Sequence, residues 1–525
     1  MRTRYWQIFL ICLALLTTSV FPYGCADAAI NQLAAQNTTK KAYVYLFGGS
    51  NDTYKKQLTQ TKGNIDGVFV PWLDIDAQGV LKTTTDPAFL TWLHQEGYKV
   101  YPYLTNHFNR TSGDKVLQPD QRSQLVDQIV DFVRATGCDG VNIDLENFSP
   151  AEKNNFILFL NDLNQKLNRM NKELSVAVIA STSLTPHPAS LAAAYDYEKI
   201  GTIVDRVIIM SYDQHWNGSE PGPVAGKPWV EKVVQTIAQQ IPHEKLILGI
   251  PFYGRYWGNG KKGDGLLYPQ AIKLAQTHQA PLIWDATESS WQIKYVDEQG
   301  PHEIWIDDRA SLMSKMRFIH TYNLGGVAAW RLGQEDPLVW QGFQPWLQQL
   351  DYLDTVGHWA SGAIRELVLK DIMSGRTDGR FYPDQAVTRA EAAKILTGLL
   401  KLPAGKALPF RDLSQDHWAY DSISRAYGAR LLTGYPDNTV HPDQPITRGE
   451  VALLLCKAYQ LPLLPKQSSS FSDVTDDHFA AQSIATIAAR HWVNGYPNGT
   501  FGPQKPVTRA EMAQIINQAR AAMAQ

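Results

Sequence analysis

Between residues 41 and 346, eight short apolar runs alternate with segments long enough to form helices. Short runs rich in β-branched and aromatic side chains predict strands, and the segments between them predict helices that cover a parallel sheet. The predicted strands are residues 42–47, 67–71, 100–104, 140–146, 175–179, 206–212, 246–252 and 326–330. Eight such units without a glycine-rich phosphate loop favour an α/β fold of the (β/α)8 or TIM barrel type over a doubly wound sheet. Residues 258–308 are longer than a helix return needs and predict a small insertion after strand seven.

The fourth predicted strand carries three polar side chains on one face. In residues 139–146, Asn142, Asp144 and Glu146 alternate with apolar residues, and a period of two puts them on the same side of the strand. Because parallel strands are buried on both faces, carboxyl groups here are costly unless they have a function. A solvated edge strand with incidental acids is the alternative. The pattern favours a pair of catalytic carboxyl groups.

Charge and composition narrow the range of partners and ligands that the chain is expected to bind. The 49 basic and 51 acidic side chains leave a net charge of −2, which gives no electrostatic reason to expect nucleic acid or an anionic membrane as a partner. No cluster of His and Cys has the spacing of metal ligands, so we expect no metal and no cofactor. The 15 Trp and 23 Tyr supply material for surfaces that stack on sugars. We expect a monomer.

The first residues have the pattern of an export signal. Arg2 and Arg4 precede an apolar run over residues 8–20, and an Ala-x-Ala cleavage motif ends at Ala28. The run is shorter than a membrane-spanning helix requires. We therefore expect a signal peptide over residues 1–28 and a linker over residues 29–40. A lipoprotein attached through Cys25 and an uncleaved anchor are the alternatives.

The tail from residue 352 contains a threefold internal repeat. Each unit has an acidic residue followed by a His-aromatic-Ala signature, then a Gly/Pro turn cluster, and finally Thr-Arg-x-Glu before an apolar stretch. These last segments begin at Thr388, Thr447 and Thr508, which are 59 and 61 residues apart. Thr followed three residues later by Glu predicts a capping box at the start of a helix. Helix capping alone does not explain the repeated Arg.

The three units resemble S-layer homology domains, over residues 352–402, 408–464 and 469–525. The resemblance implies a pseudo-threefold helical bundle that binds wall-linked polysaccharide and holds an exported protein at the cell wall or cell surface. The third unit has Phe479 where the others have Trp, and Gly449 replaces the usual Ala in the second, so equal use of the three grooves is not expected. The resemblance implies polymer contacts by Arg389, Arg448, Arg509, Trp359 and Trp418.

Residues 139–146 resemble the Asp-x-x-Asp-x-Asp-x-Glu signature of family 18 glycoside hydrolases, with Asn142 where most of the family has Asp. The segment Met210-Ser211-Tyr212-Asp213 is similar to the sixth-strand Met-x-Tyr-Asp of that family, and Trp330 is similar to its eighth-strand Trp. Residues 104–106, 212–216, 221–225 and 249–254 look like the branch that includes spore-cortex-lytic enzymes. The Ser-x-Gly-Gly typical of chitinases is absent. The catalytic domain is expected over residues 41–347.

The resemblance implies substrate-assisted retention, in which the 2-acetamido carbonyl of the sugar is the nucleophile. Glu146 is then the general acid and later the base, Asp144 orients the acetamide and stabilises the oxazolinium intermediate, and Tyr212 hydrogen-bonds the acetamide oxygen. Two carboxyl groups this close cannot both ionise freely, so we expect a raised pKa for Glu146. Substrate contacts are expected from Asn142, Met210, Asp213, Trp330, Asn106 and Trp216.

These observations predict an exported, wall-anchored hydrolase of β-1,4 linkages in glycan that contains N-acetylglucosamine, with peptidoglycan as the expected substrate. The need for an acetamido sugar excludes cellulose and starch. Chitin is the alternative substrate. A non-catalytic barrel used as a lectin or structural surface protein is the competing class, and the intact Glu146 and Asp144 argue against it.

Overall fold

The computed structural model of the chain describes residues 39–61, 63–376, 378–465 and 470–523. The predicted signal peptide and all but the last two residues of the predicted linker lie outside this range. No helix within it is long and apolar enough to cross a membrane.

Eight parallel strands close into a barrel in which the first strand pairs with both the second and the eighth. The predicted (β/α)8 fold is therefore confirmed, with each strand within a few residues of its expected position. A ninth short strand, Leu81–Thr83, pairs antiparallel with the end of the second. The barrel strands are Lys41–Tyr45, Gly67–Ile75, Lys99–Thr105, Gly140–Asp144, Glu173–Ile179, Arg206–Met210, Leu246–Pro251 and Gly326–Trp330.

Amphipathic helices cover the outside of the barrel. In Pro119–Thr136, Leu125, Ile129 and Val133 recur every four residues and are buried, and the helix ends where Gly137 adopts a left-handed conformation, with φ +79°. The α-helices of the barrel are Asn51–Gln60, Pro87–Gln95, Arg110–Val116, Pro119–Thr136, Lys153–Asn168, Tyr197–Ile203, Lys227–Ile237, Arg309–Thr321 and Phe343–Gln349. Short 3-10 helices are Pro150–Glu152, Leu191–Ala194, His243–Lys245 and Pro337–Trp340.

The interior of the barrel is filled largely by aromatic side chains. Tyr43 and Tyr45 point inward, while Ala42 and Val44 pack against the helices, as a period of two requires. The inward rings contact one another, and Tyr45 lies 4.4 Å from Phe69 between ring centroids. The barrel is thus a packed core, and space for a ligand is left at the ends of the strands.

The predicted insertion after the seventh strand is a small separate sheet. Five antiparallel strands and one helix, Tyr268–Thr277, form it. The fully buried ammonium of Lys315, on the barrel helix Arg309–Thr321, pairs with Asp307 and thereby joins the insertion to the barrel. The strands are Tyr253–Gly258, Lys261–Leu267, Leu282–Asp285, Ser290–Asp297 and Gly300–Ile306.

The tail is a bundle of three helix pairs around a pseudo-threefold axis. At the axis, three backbone hydrogen bonds form a closed ring: Val387 N–H donates to Val507 C=O, Val507 to Ile446, and Ile446 to Val387, at 2.9–3.0 Å. All three side chains are fully buried. The predicted capping boxes are present at Thr388, Thr447 and Thr508. The helix pairs are Ser361–Leu369 with Arg509–Met523, Tyr420–Gly428 with Arg389–Leu400, and Ala481–Ala489 with Arg448–Ala458.

The first repeat packs directly on the barrel. Tyr352 lies between Trp346 of the last barrel helix and Phe381, at centroid distances of 4.6 and 5.7 Å. The carboxylate of Asp371 pairs with Arg317 and, at 3.2 Å, with Lys227, both on barrel helices. The barrel and the tail therefore share an interface of aromatic contacts and ion pairs.

Asp371→Asn should lower the free energy of unfolding by about 1 kcal/mol, because it leaves two partly buried cations without their counter-charge. Burial alone would raise the pKa of Asp371, but the positive charges of Lys227 and Arg317 outweigh it and lower the pKa. The stabilisation is therefore present at neutral pH and should disappear as the pH falls below about 4. Denaturant unfolding at several pH values measures this.

The matched control is Asp131→Asn, which removes an exposed ion pair with Arg134 on an outer helix. This variant should unfold like the parent protein at every pH. Equal stability of Asp371→Asn and Asp131→Asn at neutral pH would show that the ion pairs do not hold the first repeat to the barrel.

Candidate active site

Five of the predicted site residues meet at the carboxyl ends of three barrel strands. Asp144 ends the fourth strand, Glu146 follows two residues later, and Met210 ends the sixth. Met210, Tyr212 and Trp330 pack on the same interior aromatic cluster. Burial raises the pKa of the Tyr212 hydroxyl, and the negative charges of Asp144 and Glu146 raise it further.

Asp144 is buried, and its Oδ1 has no hydrogen-bond partner among the described residues. Burial raises the pKa of this carboxyl because the charged form loses hydration. A buried oxygen without a donor costs free energy, so few such groups persist in folded proteins without a reason. This oxygen is an acceptor that no protein donor in the described chain satisfies.

The pKa of Glu146 is also raised, as expected from the sequence. Burial is the largest cause, followed by the negative charges of Asp144 and Asp213. A carboxyl group with such a pKa keeps its proton nearer neutral pH than an ordinary Glu does. The arrangement is therefore that of a proton donor beside a hydrogen-bond acceptor.

Asn106 fixes the backbone that carries Glu146. Its Oδ1 accepts from the Glu146 N–H at 3.0 Å, and its Nδ2 donates to the Glu146 carbonyl at 2.7 Å. A Cβ at Gly113 would lie 2.7 Å from this Nδ2, so the clamp requires glycine beside it. The prediction that Asn106 contacts substrate needs correction, because its side chain is fully buried and both ends of its amide bind protein.

Asn142 lies in the barrel interior below Asp144. Its Oδ1 accepts from the Tyr45 hydroxyl at 3.0 Å, and its Nδ2 donates to Ser175 Oγ at 2.9 Å. Since the side chain is fully buried and its amide is satisfied, the predicted direct contact with substrate is also corrected. Asn142 supports the site from beneath.

Asp213 is held by the inserted sheet. Its Oδ1 accepts from the Tyr253 hydroxyl at 2.5 Å and from Arg255 Nη2 at 2.6 Å. The carboxylate side chain remains 41% exposed. A contact from Asp213 to a sugar hydroxyl stays a prediction.

Aromatic rings border the candidate site. Trp330 lies 5.2 Å from Tyr45 and 5.8 Å from Phe47 between ring centroids. Trp216 is 54% exposed, on a loop whose Gly218 N–H donates to Lys262 of the inserted sheet at 2.6 Å. Trp330 is suited to form a floor beneath a sugar, and Trp216 is available as a cleft wall.

Sequence reasoning missed Phe47, Tyr253 and Arg255. Phe47 continues the alternation of Tyr43 and Tyr45 and could have been placed on the inward face from that period. Nothing in the sequence indicated that Tyr253 and Arg255 bind Asp213, because the contact joins the sixth strand to the insertion.

In the tail, the aromatic residues are exposed and the arginines are buried. Trp359, Trp418 and Phe479 are 58–64% exposed. In contrast, Nε of each repeated Arg donates to a backbone carbonyl of the turn cluster at 2.8–2.9 Å, and each guanidinium lies on an aromatic ring there. The repeated Arg therefore has a structural function that the sequence did not predict.

One groove between repeats is open. A cavity of about 450 Å³ is lined by Trp359, Arg448, Tyr496, Glu511 and Gln514, among others. The cavity brings two of the predicted polymer-binding residues together, Trp359 and Arg448. Polymer contacts by all five residues, Trp359, Trp418, Arg389, Arg448 and Arg509, stay predictions.

Comparison with protein families agrees with this architecture. The family described as "Glycosyl hydrolases family 18" matches residues 97–335. The barrel is a family 18 glycosyl hydrolase domain. The family described as "S-layer homology domain" matches residues 351–393, 409–452 and 470–513. Both resemblances seen in the sequence are thus confirmed.

The family 18 chain is 36% identical over 219 residues to YdhD of Bacillus subtilis, named as a sporulation-specific glycosylase, covering 41% of this chain and 51% of that protein. It is 28% identical over 248 residues to the cortical fragment-lytic enzyme of the same organism, covering 45% and 57%. The chain therefore spans about half the length of these two relatives.

Two further similarities concern the tail and the barrel fold. The chain is 37% identical over 153 residues to the cellulosome-anchoring protein of Acetivibrio thermocellus, covering 28% of this chain and 34% of that protein. The crystal structure of a chitinase from Chromobacterium violaceum is similar with a TM-score of 0.54 and 27% identity, covering 58% of this chain and 98% of that one.

Asp144→Asn should lower the pKa of Glu146, because it removes a negative charge that favours the protonated form. Asp213→Asn should lower it by less, since Arg255 already offsets the charge of Asp213. Carbon-13 NMR titration of the glutamate carboxyl carbons measures both shifts, with Asp131→Asn as the remote control. An unchanged Glu146 titration in Asp144→Asn would mean that the charge of Asp144 does not contribute to this pKa.

Proposed function

We propose that the protein is an exported, wall-anchored retaining glycosidase that hydrolyses β-1,4 linkages in glycan containing N-acetylglucosamine, above all peptidoglycan. The observation that carries the proposal is the pair of Asp144 and Glu146. One carboxyl group has a raised pKa that suits a proton donor, and the other offers a buried acceptor oxygen that lacks a donor. Family 18 membership of the barrel supports the same activity.

In the proposed reaction, Glu146 gives its proton to the glycosidic oxygen as the bond to the anomeric carbon breaks. The carbonyl oxygen of the substrate's 2-acetamido group forms the new bond to that carbon, so no protein nucleophile is needed. Asp144 Oδ1 accepts the acetamide N–H and stabilises the positive charge of the oxazolinium ring. Tyr212 donates its hydroxyl to the acetamide oxygen.

In the second step the carboxylate of Glu146 removes a proton from water, whose oxygen attacks the anomeric carbon and reopens the oxazolinium ring. Attack from opposite faces in two successive steps retains the configuration of the sugar. Because Asn142 cannot ionise, proton exchange between Asp144 and a second aspartate is not part of this scheme. The amide instead supplies a fixed hydrogen-bonding support.

Trp330 serves as the floor beneath the reacting sugar, and Met210 packs beside it. The apolar face of a pyranose stacks on such a ring, which accounts for an aromatic residue at the end of the eighth strand. Asp213 and Trp216 are proposed as contacts to sugars on either side. Asp213 is already oriented by Tyr253 and Arg255, so it presents its carboxylate in a fixed position.

Two observations bear on the choice of glycan. The similarity to the cortical fragment-lytic enzyme supports peptidoglycan. Cleavage after N-acetylglucosamine is proposed from the resemblance of the sequence to the spore-cortex-lytic branch. The similarity to the chitinase structure supports chitin as the second candidate. Mass spectrometry of the products from purified peptidoglycan and from chitin oligomers separates the two substrates, and no products from either would overturn the proposed activity.

The tail is proposed to hold the enzyme at the cell wall through wall-linked polysaccharide. Three S-layer homology repeats and the similarity to a cellulosome-anchoring protein support this location. The groove lined by Trp359, Arg448 and Tyr496 combines an exposed ring with polar groups, which suits a sugar chain.

Glu146→Gln should lower hydrolysis of the substrate glycan by about a thousandfold, because it removes the group that is proposed to protonate the leaving oxygen. Glycan binding should persist. Since a raised pKa makes ionisation costly as the pH rises, the neutral Gln should also make the variant more stable than the parent at pH 8, with no gain at pH 4. Reducing-end release and thermal unfolding measure the two effects.

The control for this variant is Glu198→Gln, which changes an exposed Glu on the helix Tyr197–Ile203. It should retain parental hydrolysis and stability at both pH values. Full hydrolysis by Glu146→Gln would assign the acid to another residue.

Trp359→Ala should weaken binding of the full chain to purified cell walls by about tenfold, because it removes the exposed ring of the open groove. Phe479→Ala should weaken it less, since a smaller ring contacts less sugar. Leu463→Ala, which truncates an exposed apolar side chain between repeats, is the control. Binding that survives chemical removal of wall-linked polysaccharide would contradict anchoring through that polymer.

A further inference from the structure

Arg331 is a cation at the edge of the candidate active site that pairs with no acidic residue of the described chain. It follows Trp330 directly, and its guanidinium lies 5.4 Å from the centroid of the Phe47 ring. One of its N–H groups donates to the Phe47 carbonyl. Across the described part of the chain, no carboxylate lies within ion-pair distance of it, whereas Arg255 is occupied by Asp213.

Arg331 is partly exposed. Gly48, at φ +69°, packs against its guanidinium, since a Cβ there would lie 3.5 Å from Nη1, an ordinary van der Waals distance. Phe47 is 39% exposed, so ring and guanidinium together form a surface beside the proposed sugar floor. A guanidinium has five N–H donors in a planar fork that matches a carboxylate.

A peptide-free strand of the proposed substrate supplies a carboxylate that such a cation can bind. In peptidoglycan, N-acetylglucosamine alternates with N-acetylmuramic acid, whose lactyl carboxyl is free only where no stem peptide is attached. Chitin has no carboxylate anywhere along the chain. The geometry points to Arg331 as a specificity-determining residue that pairs with the lactyl carboxylate of a neighbouring muramic acid that carries no stem peptide, an inference that rests on the proposed function. Phe47 is the apolar platform for the same sugar.

The test measures binding, in the Glu146→Gln background, of peptide-free glycan strands with free lactyl carboxylates, of the same strands as methyl esters, and of chitohexaose. The quantity of interest is the preference for the free acid over the two uncharged glycans. Arg331→Gln should reduce this preference about tenfold, the size of a well-formed guanidinium–carboxylate interaction. Arg331→Lys should restore part of it, because it keeps the charge but not the fork.

Salt provides an independent readout. Raising the ionic strength should reduce the preference for the free acid in the parent protein and have little effect on Arg331→Gln, where the charge is absent. Arg134→Gln, on an outer helix, is the matched control and should leave the preference unchanged. Equal loss of all three ligands in Arg331→Gln would overturn the proposal and assign Arg331 to holding the Phe47 backbone.

An experiment that overturns the proposed function can be told apart from one that overturns the proposal for Arg331. If the parent enzyme hydrolyses neither glycan, the glycosidase proposal is overturned, while the binding preference still decides the function of Arg331. If the inactive variant prefers the ester or chitohexaose over the free acid, Arg331 is not a carboxylate site whatever the parent enzyme hydrolyses.

Discussion

Keeping two carboxyl groups out of water at the mouth of a closed barrel is the constraint on which the rest of the site depends. Ionised carboxylates resist burial, so Asp144 and Glu146 have raised pKa values, and the surrounding structure must hold them there at a cost in stability. The aromatic interior closes the barrel below them. Asn106 fixes the Glu146 backbone from the side, and Asn142 fills the layer beneath with satisfied hydrogen bonds. Each of these residues makes the unfavourable position rigid.

The tail, like the active site, depends on buried polar groups that other protein groups satisfy. Three short repeats, none with a large core of its own, are joined by a closed ring of backbone hydrogen bonds through Val387, Ile446 and Val507. Each repeated Arg satisfies carbonyl groups of the turn cluster that would otherwise be left without donors. Burial of the arginines thus shapes the grooves, and the exposed aromatic rings are left to meet a ligand.

The sequence was most informative where a repeating physical pattern was involved. Short apolar runs that alternate with helix-length segments located all eight strands, and Thr-Arg-x-Glu located helix starts in each repeat. It was least informative about whether a polar side chain binds the substrate or the protein itself. An Asn side chain looks the same in the sequence whether it binds sugar or protein. Only the structure shows that Asn106 binds the Glu146 backbone and that Asn142 binds Tyr45 and Ser175. Contacts that cross from one element to a distant one, such as Arg255 with Asp213, follow from tertiary packing and leave no local pattern.

The direct packing of the first repeat on the barrel has a consequence for where catalysis can take place. A flexible linker would let the barrel search a wide area of wall around its attachment point. Here Tyr352 is enclosed between Trp346 and Phe381, and Asp371 joins Arg317, so the barrel cannot swing freely about its anchor. A barrel held rigidly on its anchor reaches few glycosidic bonds, but it meets those few at a high effective concentration. For the proposed hydrolysis of wall glycan, the footprint of the bound tail would set the spacing of cuts.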